Sequence, residues 1–244
     1  MRLIVGCPVA NRAWALPHWF QCLANQTRQP DGFVFLHSGH IGDDTWRAIQ
    51  DGCERHHFDS HVQHDERAPH ARHDNDRFAT LADLRNQVLA LARGDMHADL
   101  FLSLDTDVML EDPHTIERLL GMLGHGCDLA SCATFLHHAA SNPNVDHEIF
   151  WAYNAGWLNP PGAKGFRRPL PGELDWDAVY RIDIPMAVWL GERAVLDCRY
   201  DWHESGEDIA FAWALQDAGL KCHWDTGLRA KHYWQESHLK VAVS

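Results

Sequence analysis

Apolar and polar positions fall into two rhythms along the first half of the chain, and each rhythm predicts an element. Leu3 to Cys7 is a short apolar run cut off by Pro8, the mark of a buried strand. Trp14 to Gln26 carries Trp19, Phe20 and Leu23 at helical spacing, with Pro17 in the first turn. After an Asp31-Gly32 turn, Phe33 to Leu36 reads as a second strand, Asp43 to Asp51 as a short helix and Arg55 to Phe58 as a short third strand. Asp59 to Asp74 has no apolar period and reads as a surface loop, with His61, His64, His70 and His73 in it. Phe78, Leu81, Leu84, Val88, Leu91 and Ala92 make Arg77 to Arg93 the strongest helix, stopped by Gly94. Leu100 to Leu104 is then a largely apolar run of strand length.

The second half continues the alternation with more breakers. Asp112 as N-cap and Pro113 at the first position predict a helix to Leu123, followed by a strand over Asp128 to Ala133. Phe135 to His147 is polar and turn-rich, and Ile149 to Asn154 reads as a strand. Asn159 to Gly172 is a Pro- and Gly-rich, locally basic loop. Val179 to Ile184 and Met186 to Leu190 are strands separated by Pro185, and Gly191 to Leu196 is a short helix or turn. Ile209 to Ala218 is a helix closed by Gly219. Lys221 to Trp224 and the stretch from Leu228 to Trp234 follow, the first as a strand. Strand–helix alternation of this kind predicts an α/β fold with a mostly parallel central sheet. At 244 residues, one domain spanning 1–244 is expected.

Composition narrows the partners. The formal net charge of −13, with 19 histidines counted neutral, gives no general attraction for a polyanion. Seven cysteines without a C-x-x-C pair read as core thiols in a reduced, cytoplasmic setting. No stretch reaches transmembrane length, and the apolar run before Pro8 is too short for a signal peptide.

The chemistry gathers at Asp105-Thr106-Asp107, where the Leu100 to Leu104 strand ends. Residues two apart on an extended chain project to one side, so both carboxylates are expected to face one point. Hard oxygen ligands suit Mg²⁺ or Mn²⁺. Upstream lies Arg85-Asn86 on the strongest helix; downstream lie Gly206-Glu207-Asp208 at a helix start and then His232. An Arg-Asn helix, Asp-x-Asp after a strand, and Glu-Asp before a helix resemble, in this order, the GT-A nucleotide-sugar glycosyltransferases. The nearest likeness is to their large, mostly inverting family, and it spans Leu3 to Trp234.

The resemblance implies a GT-A fold, with 1–110 as the nucleotide-sugar half and 111–244 as the acceptor half. It implies Asp105, Asp107 and His232 as ligands of Mn²⁺ or Mg²⁺. It places the donor against Pro8, Asn11, Arg12, Asp83, Arg85 and Asp105, and makes Asp208 the general base with Glu207 as second choice. His37 and Ser38 stand where many relatives carry an acidic residue that holds the base or ribose, which leaves the nucleotide open. The acceptor is equally open: a saccharide, a small molecule or a hydroxymethylated base in DNA, the last helped by the Lys164, Arg167 and Arg168 loop. Two rival readings are a metal-dependent nucleotidyltransferase, which would release pyrophosphate, and a non-catalytic nucleotide-sugar-binding module. The Glu-Asp helix and His232 weigh against the first, and intact Asp105, Asp107 and Asp208 against the second.

Overall fold

A computed structural model describes residues 1–67, 76–136, 155–159, 166–169, 173–233 and 235–242. The elements in order are β1 (Leu3–Val9), α1 (Leu16–Ala24), β2 (Gly32–Ser38), α2 (Asp44–His56), β3 (Ser60–Asp65), α3 (Arg77–Gly94), β4 (Leu100–Leu104), β5 (Val108–Met109) and α4 (Thr115–Met122). There follow β6 (Leu129–Leu136), β7 (Ala155–Leu158), β8 (Phe166–Arg167), β9 (Val179–Ile182), β10 (Ile184–Pro185), β11 (Val188–Glu192), α5 (Glu207–Asp217), β12 (Cys222–His232) and α6 (Glu236–Ala242), with a 3₁₀ turn at Arg193–Asp197.

The large sheet has the order β3-β2-β1-β4-β11-β6-β12-β5, with β9 also paired to β12. From β3 to β4 every pairing is parallel. β11 enters antiparallel between β4 and β6, so β6 and β12 again run the way β4 does. The expected mostly parallel α/β sheet is therefore present, and β10-β7-β8 form a separate small sheet.

The inner strands β1, β2 and β4 of the large sheet are mostly apolar because helices cover both faces. Leu3, Val5 and Cys7 of β1 pack with Trp19 and Phe20 of α1 and with Ile116 of α4 on one face. Ile4 packs with Val88 of α3 and Phe211 of α5 on the other. Gly6 lets α3 approach β1: a Cβ there would lie 2.8 Å from Val88 and Phe101 side-chain atoms. Among the described residues, no helix is long and apolar enough to cross a membrane, and all seven cysteines are free.

Several boundaries differ from the pattern-based expectation. Arg55 and His56 complete α2, and His57 ends it in a left-handed conformation (φ 55°). The third strand is Ser60–Asp65, inside the segment expected to be a loop. As an edge strand paired only to β2 it is half-buried, so polar residues are tolerated and no apolar period arises. α4 begins at Thr115; Asp112 instead closes the preceding turn, its Oδ1 accepting from the His114 backbone N–H at 2.9 Å. Lys221 to Trp224 and the stretch after Leu228 belong largely to one strand, β12, whose register shifts between Asp225 and Arg229. Asp225 stabilises that irregularity by accepting from the Gly227 and Leu228 backbone N–H groups. The expected strand at Ile149 to Asn154, His137-His138, most of the Phe135 to His147 stretch and Lys164 lie outside the described residues.

Gly52 of α2 lies against the ring of Phe20, which Trp19, Phe33 and Phe35 hold in place. Gly52→Ala forces a methyl group into that ring. The expected loss is about 1–3 kcal/mol, or roughly 2–4 °C in Tm per kcal/mol for a chain of this size. Thermal unfolding checks it; an unchanged Tm would show that α1 and α2 separate freely.

Candidate active site

The parallel strands all deliver their carboxyl ends to one edge of the sheet, where open α/β sheets bind ligands. A cavity of about 650 Å³ opens there, lined by the exits of β1 and β4, the ends of β6 and β12, the face of α3 and the start of α5. Pro8, Asn11, Arg12, Arg85, Asp105, Asp107, Glu207, Asp208 and His232 all line it.

Asp105 and Asp107 both line the cavity, but across a turn rather than along an extended strand. The Val108 N–H donates to the Asp105 carbonyl at 2.9 Å, closing a tight turn. The two carboxylates therefore have different partners. Asp107 is buried; its Oδ2 accepts from Arg12 Nε at 3.0 Å and lies 2.9 Å from Arg12 Nη2. Its Oδ1 lies 3.3 Å from His232 Nε2. That histidine is delivered by pairing of β12 with β5, which sets His232 opposite Val108, and the Tyr233 N–H donates to the Asp107 carbonyl at 2.8 Å. Burial works against the Asp107 charge, but His232 and Arg12 outweigh it and lower its pKa.

Asp105 turns instead to Arg85. This arginine is buried: Nη2 donates to Asp105 Oδ1 at 3.2 Å and Nε to Glu207 Oε1 at 3.1 Å. Its guanidinium carbon lies 5.6 Å from the centroid of the Tyr200 ring. Asn86, the next residue, fixes Tyr200 by two 2.9 Å bonds to its backbone N–H and C=O. Tyr200 also stacks on Phe211 and accepts from Trp189 Nε1. The two residues of the Arg-Asn pair thus do different work. Arg85 holds the carboxylates, and Asn86 holds the aromatic wall beside the guanidinium.

Asp208 is partly open to the cavity. Burial first, then the neighbouring Glu207 charge, raises its carboxyl to about 8, with Arg85 pulling the other way. The positive end of α5 alone would lower its basicity; desolvation reverses that.

Asp83 is the one candidate turned elsewhere. It is half-exposed, pairs with Arg67 at 2.7 Å and is absent from the cavity wall. His37 is buried below the cavity between Asp43 (3.2 Å) and His64 (3.4 Å), whereas Ser38 reaches the wall. Pattern reading misses Arg77, Thr134 and Ala187, which also line the cavity. Ala187 holds φ at 57°, a conformation uncommon for a side-chain-bearing residue, and its carbonyl accepts from the Asp105 N–H. Arg168 lines the wall too, although in the sequence its loop reads only as a basic patch.

Hard carboxylate oxygen and imidazole in contact fit Mn²⁺ or Mg²⁺. Among the described residues, no three His, Cys, Asp or Glu side chains form a ready cage. Asp107 and His232 are the residues that would hold such a cation, which would need further ligands from outside the chain.

No family model and no curated protein matches this sequence. Solved structures do. S. aureus TarS 1–349 in complex with UDP-GlcNAc aligns at TM-score 0.59 and 14% identity, over 96% of this chain and 59% of that one. The mannosyltransferase PcManGT from Pyrobaculum calidifontis, with GDP-Man and Mn²⁺, aligns at 0.57 and 12%, over 95% and 56%. GalNAc-T7 with UDP, GalNAc and Mn²⁺ aligns at 0.61 and 12%, over 96% and 44%. This chain has the GT-A fold. It spans about 60% of the length of the TarS fragment. Within the GT-A fold the parallel strand exits supply one wall of the cavity, and α5, which follows the antiparallel β11, supplies the other.

This charge arrangement has two measurable consequences for stability. Arg85→Leu leaves Glu207 buried without its cation, and breaking such a pair costs about 3–5 kcal/mol; urea unfolding measures it, and a loss under ~1 kcal/mol would mean the pair is not closed to solvent. Asp208 has the opposite sign. A carboxyl whose folded pKa lies above its unfolded value costs stability as pH rises from about 4 to about 8. Asp208→Asn removes that cost, so its Tm advantage over wild type should be small at pH 4 and grow toward pH 8. A constant or shrinking difference would contradict the raised pKa.

Proposed function

We propose that this chain is a metal-dependent glycosyltransferase that moves a sugar from a nucleotide-diphosphate donor to an acceptor hydroxyl with inversion. The observation that carries the reading is the meeting, across one cavity, of the Asp107–His232 pair with the Asp208 carboxylate at the start of α5. Solved structures of the same fold bind UDP-GlcNAc, or GDP-Man with Mn²⁺. The 1–110 half would hold the donor and the 111–244 half the acceptor, with His232 reaching back to the donor side.

Mn²⁺ or Mg²⁺ held by Asp107 and His232 supplies positive charge to the diphosphate leaving group. The chain's own residues do the rest. Pro8, Asn11 and Arg12 border the donor from the exit of β1. Arg85 keeps Asp105 and Glu207 fixed and adds a buried positive charge to the wall. Glu207 is committed to that arginine, which leaves Asp208 as the carboxylate free to accept a proton. Asp208 takes the proton from the acceptor hydroxyl as its oxygen attacks the anomeric carbon from the face opposite the diphosphate. A base of raised pKa accepts that proton more readily, provided the pH keeps it ionised.

The test is incubation with Mn²⁺, a panel of UDP- and GDP-sugars, and acceptors that include saccharides and hydroxymethylated DNA. Nucleoside diphosphate and a glycosylated product of increased mass are expected; pyrophosphate would mean nucleotidyl transfer. Asp107→Ala should abolish turnover. Asp208→Asn should bind donor and Mn²⁺ normally yet lose roughly 10²-fold or more in rate. Wild-type transfer by Asp208→Asn would move the base elsewhere.

A further inference from the structure

Asp107 is the carboxylate on which the proposed metal site depends, yet both its oxygens are already engaged. His232 holds Oδ1 and the Arg12 guanidinium holds Oδ2 through two nitrogens. Arg12 is anchored at its base and loose at its head. Its backbone N–H donates to Thr45 Oγ1 at 3.0 Å, and Asn11 before it is fixed in a left-handed conformation (φ 54°). Beyond Asp107, among the described residues, the head contacts the Asn11 carbonyl at 3.3 Å and the Trp14 ring at 5.9 Å, and its side chain is 33% exposed. Arg85 differs in every respect: it is buried and held by two carboxylates from two elements.

We propose that Arg12 is a place-holding cation for the divalent metal, released from Asp107 by the donor diphosphate so that metal and donor bind as one coupled event. This rests on the metal-dependent reading above. A dication and a guanidinium cannot share one carboxylate oxygen, because they repel and occupy the same space. Metal binding alone must break two charge-assisted bonds and leave the Arg12 head without an anion. A diphosphate changes that balance, since its oxygens match the guanidinium fork. The swing needed is of the head alone. Coupling is reciprocal: if the diphosphate tightens metal binding, the metal tightens diphosphate binding by the same factor. Arg12 is thus a positioning residue that sets the order and mutual dependence of binding.

Mn²⁺ binding to the full chain, read by electron paramagnetic resonance with and without UDP or GDP, tests this without any turnover. Wild type should bind Mn²⁺ weakly alone and roughly 10-fold or more tightly with nucleotide, within the usual range of coupling. Arg12→Ala and Arg12→Gln should bind Mn²⁺ alone at least ~5-fold more tightly than wild type, with the nucleotide effect reduced. Arg77→Gln, which removes a charge from the same cavity wall, should leave the Mn²⁺ affinity near wild type. Unchanged or weakened Mn²⁺ binding in both Arg12 variants overturns the proposal, as does an equal gain in Arg77→Gln. If no variant binds Mn²⁺ with or without nucleotide, the metal-dependent reading falls with it.

Discussion

One buried guanidinium governs the arrangement of this cleft. A charge taken out of water is tolerated only when paired and hydrogen-bonded, and Arg85 satisfies that condition with Asp105 and Glu207, 20 and 122 residues away in sequence. Those bonds tie the middle of α3 to the exit of β4 and to the first turn of α5. The three elements, which also share one hydrophobic cluster through Val88, Phe101 and Phe211, are thereby tied together at the cleft. The same bonds assign roles. Glu207 and Asp208 are adjacent, both at the positive end of one helix, and composition alone does not separate them. Only Glu207 is bonded to Arg85; Asp208, also on the cavity wall, is left without that bond, and burial and the Glu207 charge raise its carboxyl.

The sheet supplies the second constraint. With β11 inserted antiparallel, β6 and β12 return to the direction of β4 and end at the same edge. The short β5 then pairs back onto the end of β12. His232 reaches Asp107 through this one two-residue ladder, although the sequence separates them widely.

Most of the fold is legible where a residue's surroundings repeat along the chain. β1, β2, β4 and α3 are buried by neighbours on both sides, so their apolar rhythm is plain. β3 is hidden because an edge strand of His, Gln and Asp has no such rhythm. The irregularity in β12 is hidden because it depends on Asp225, which is stabilised through space by Arg118. At the site, the order of motifs brings Asp105, Asp107, Asp208 and His232 to one cavity. Spacing does not reveal that Asp105 and Asp107 take different cations as partners, Arg85 and Arg12. Asp83 lies on the expected helix but on a face drawn outward by Arg67. None of these partnerships is local, which is why pattern could not reveal them.

Charge explains why such a site would need a metal at all. Among the described residues of the cavity wall, Arg12, Arg77, Arg85 and Arg168 face Asp105, Asp107, Glu207 and Asp208. With all four carboxylates ionised the formal charges cancel, within a chain whose net charge is −13. A nucleoside diphosphate approaching alone therefore finds no net attraction, and two of the arginines are already spoken for by carboxylates. A dication entering with the diphosphate removes most of the added negative charge and gives the Asp107 carboxylate a new partner. Arg12 is then the cation able to turn outward, because Arg85 would have to abandon two buried carboxylates to do so. On the proposed reading, metal dependence is thus a consequence of a balanced cleft in an acidic protein, and it falls on Arg12, the arginine that holds Asp107.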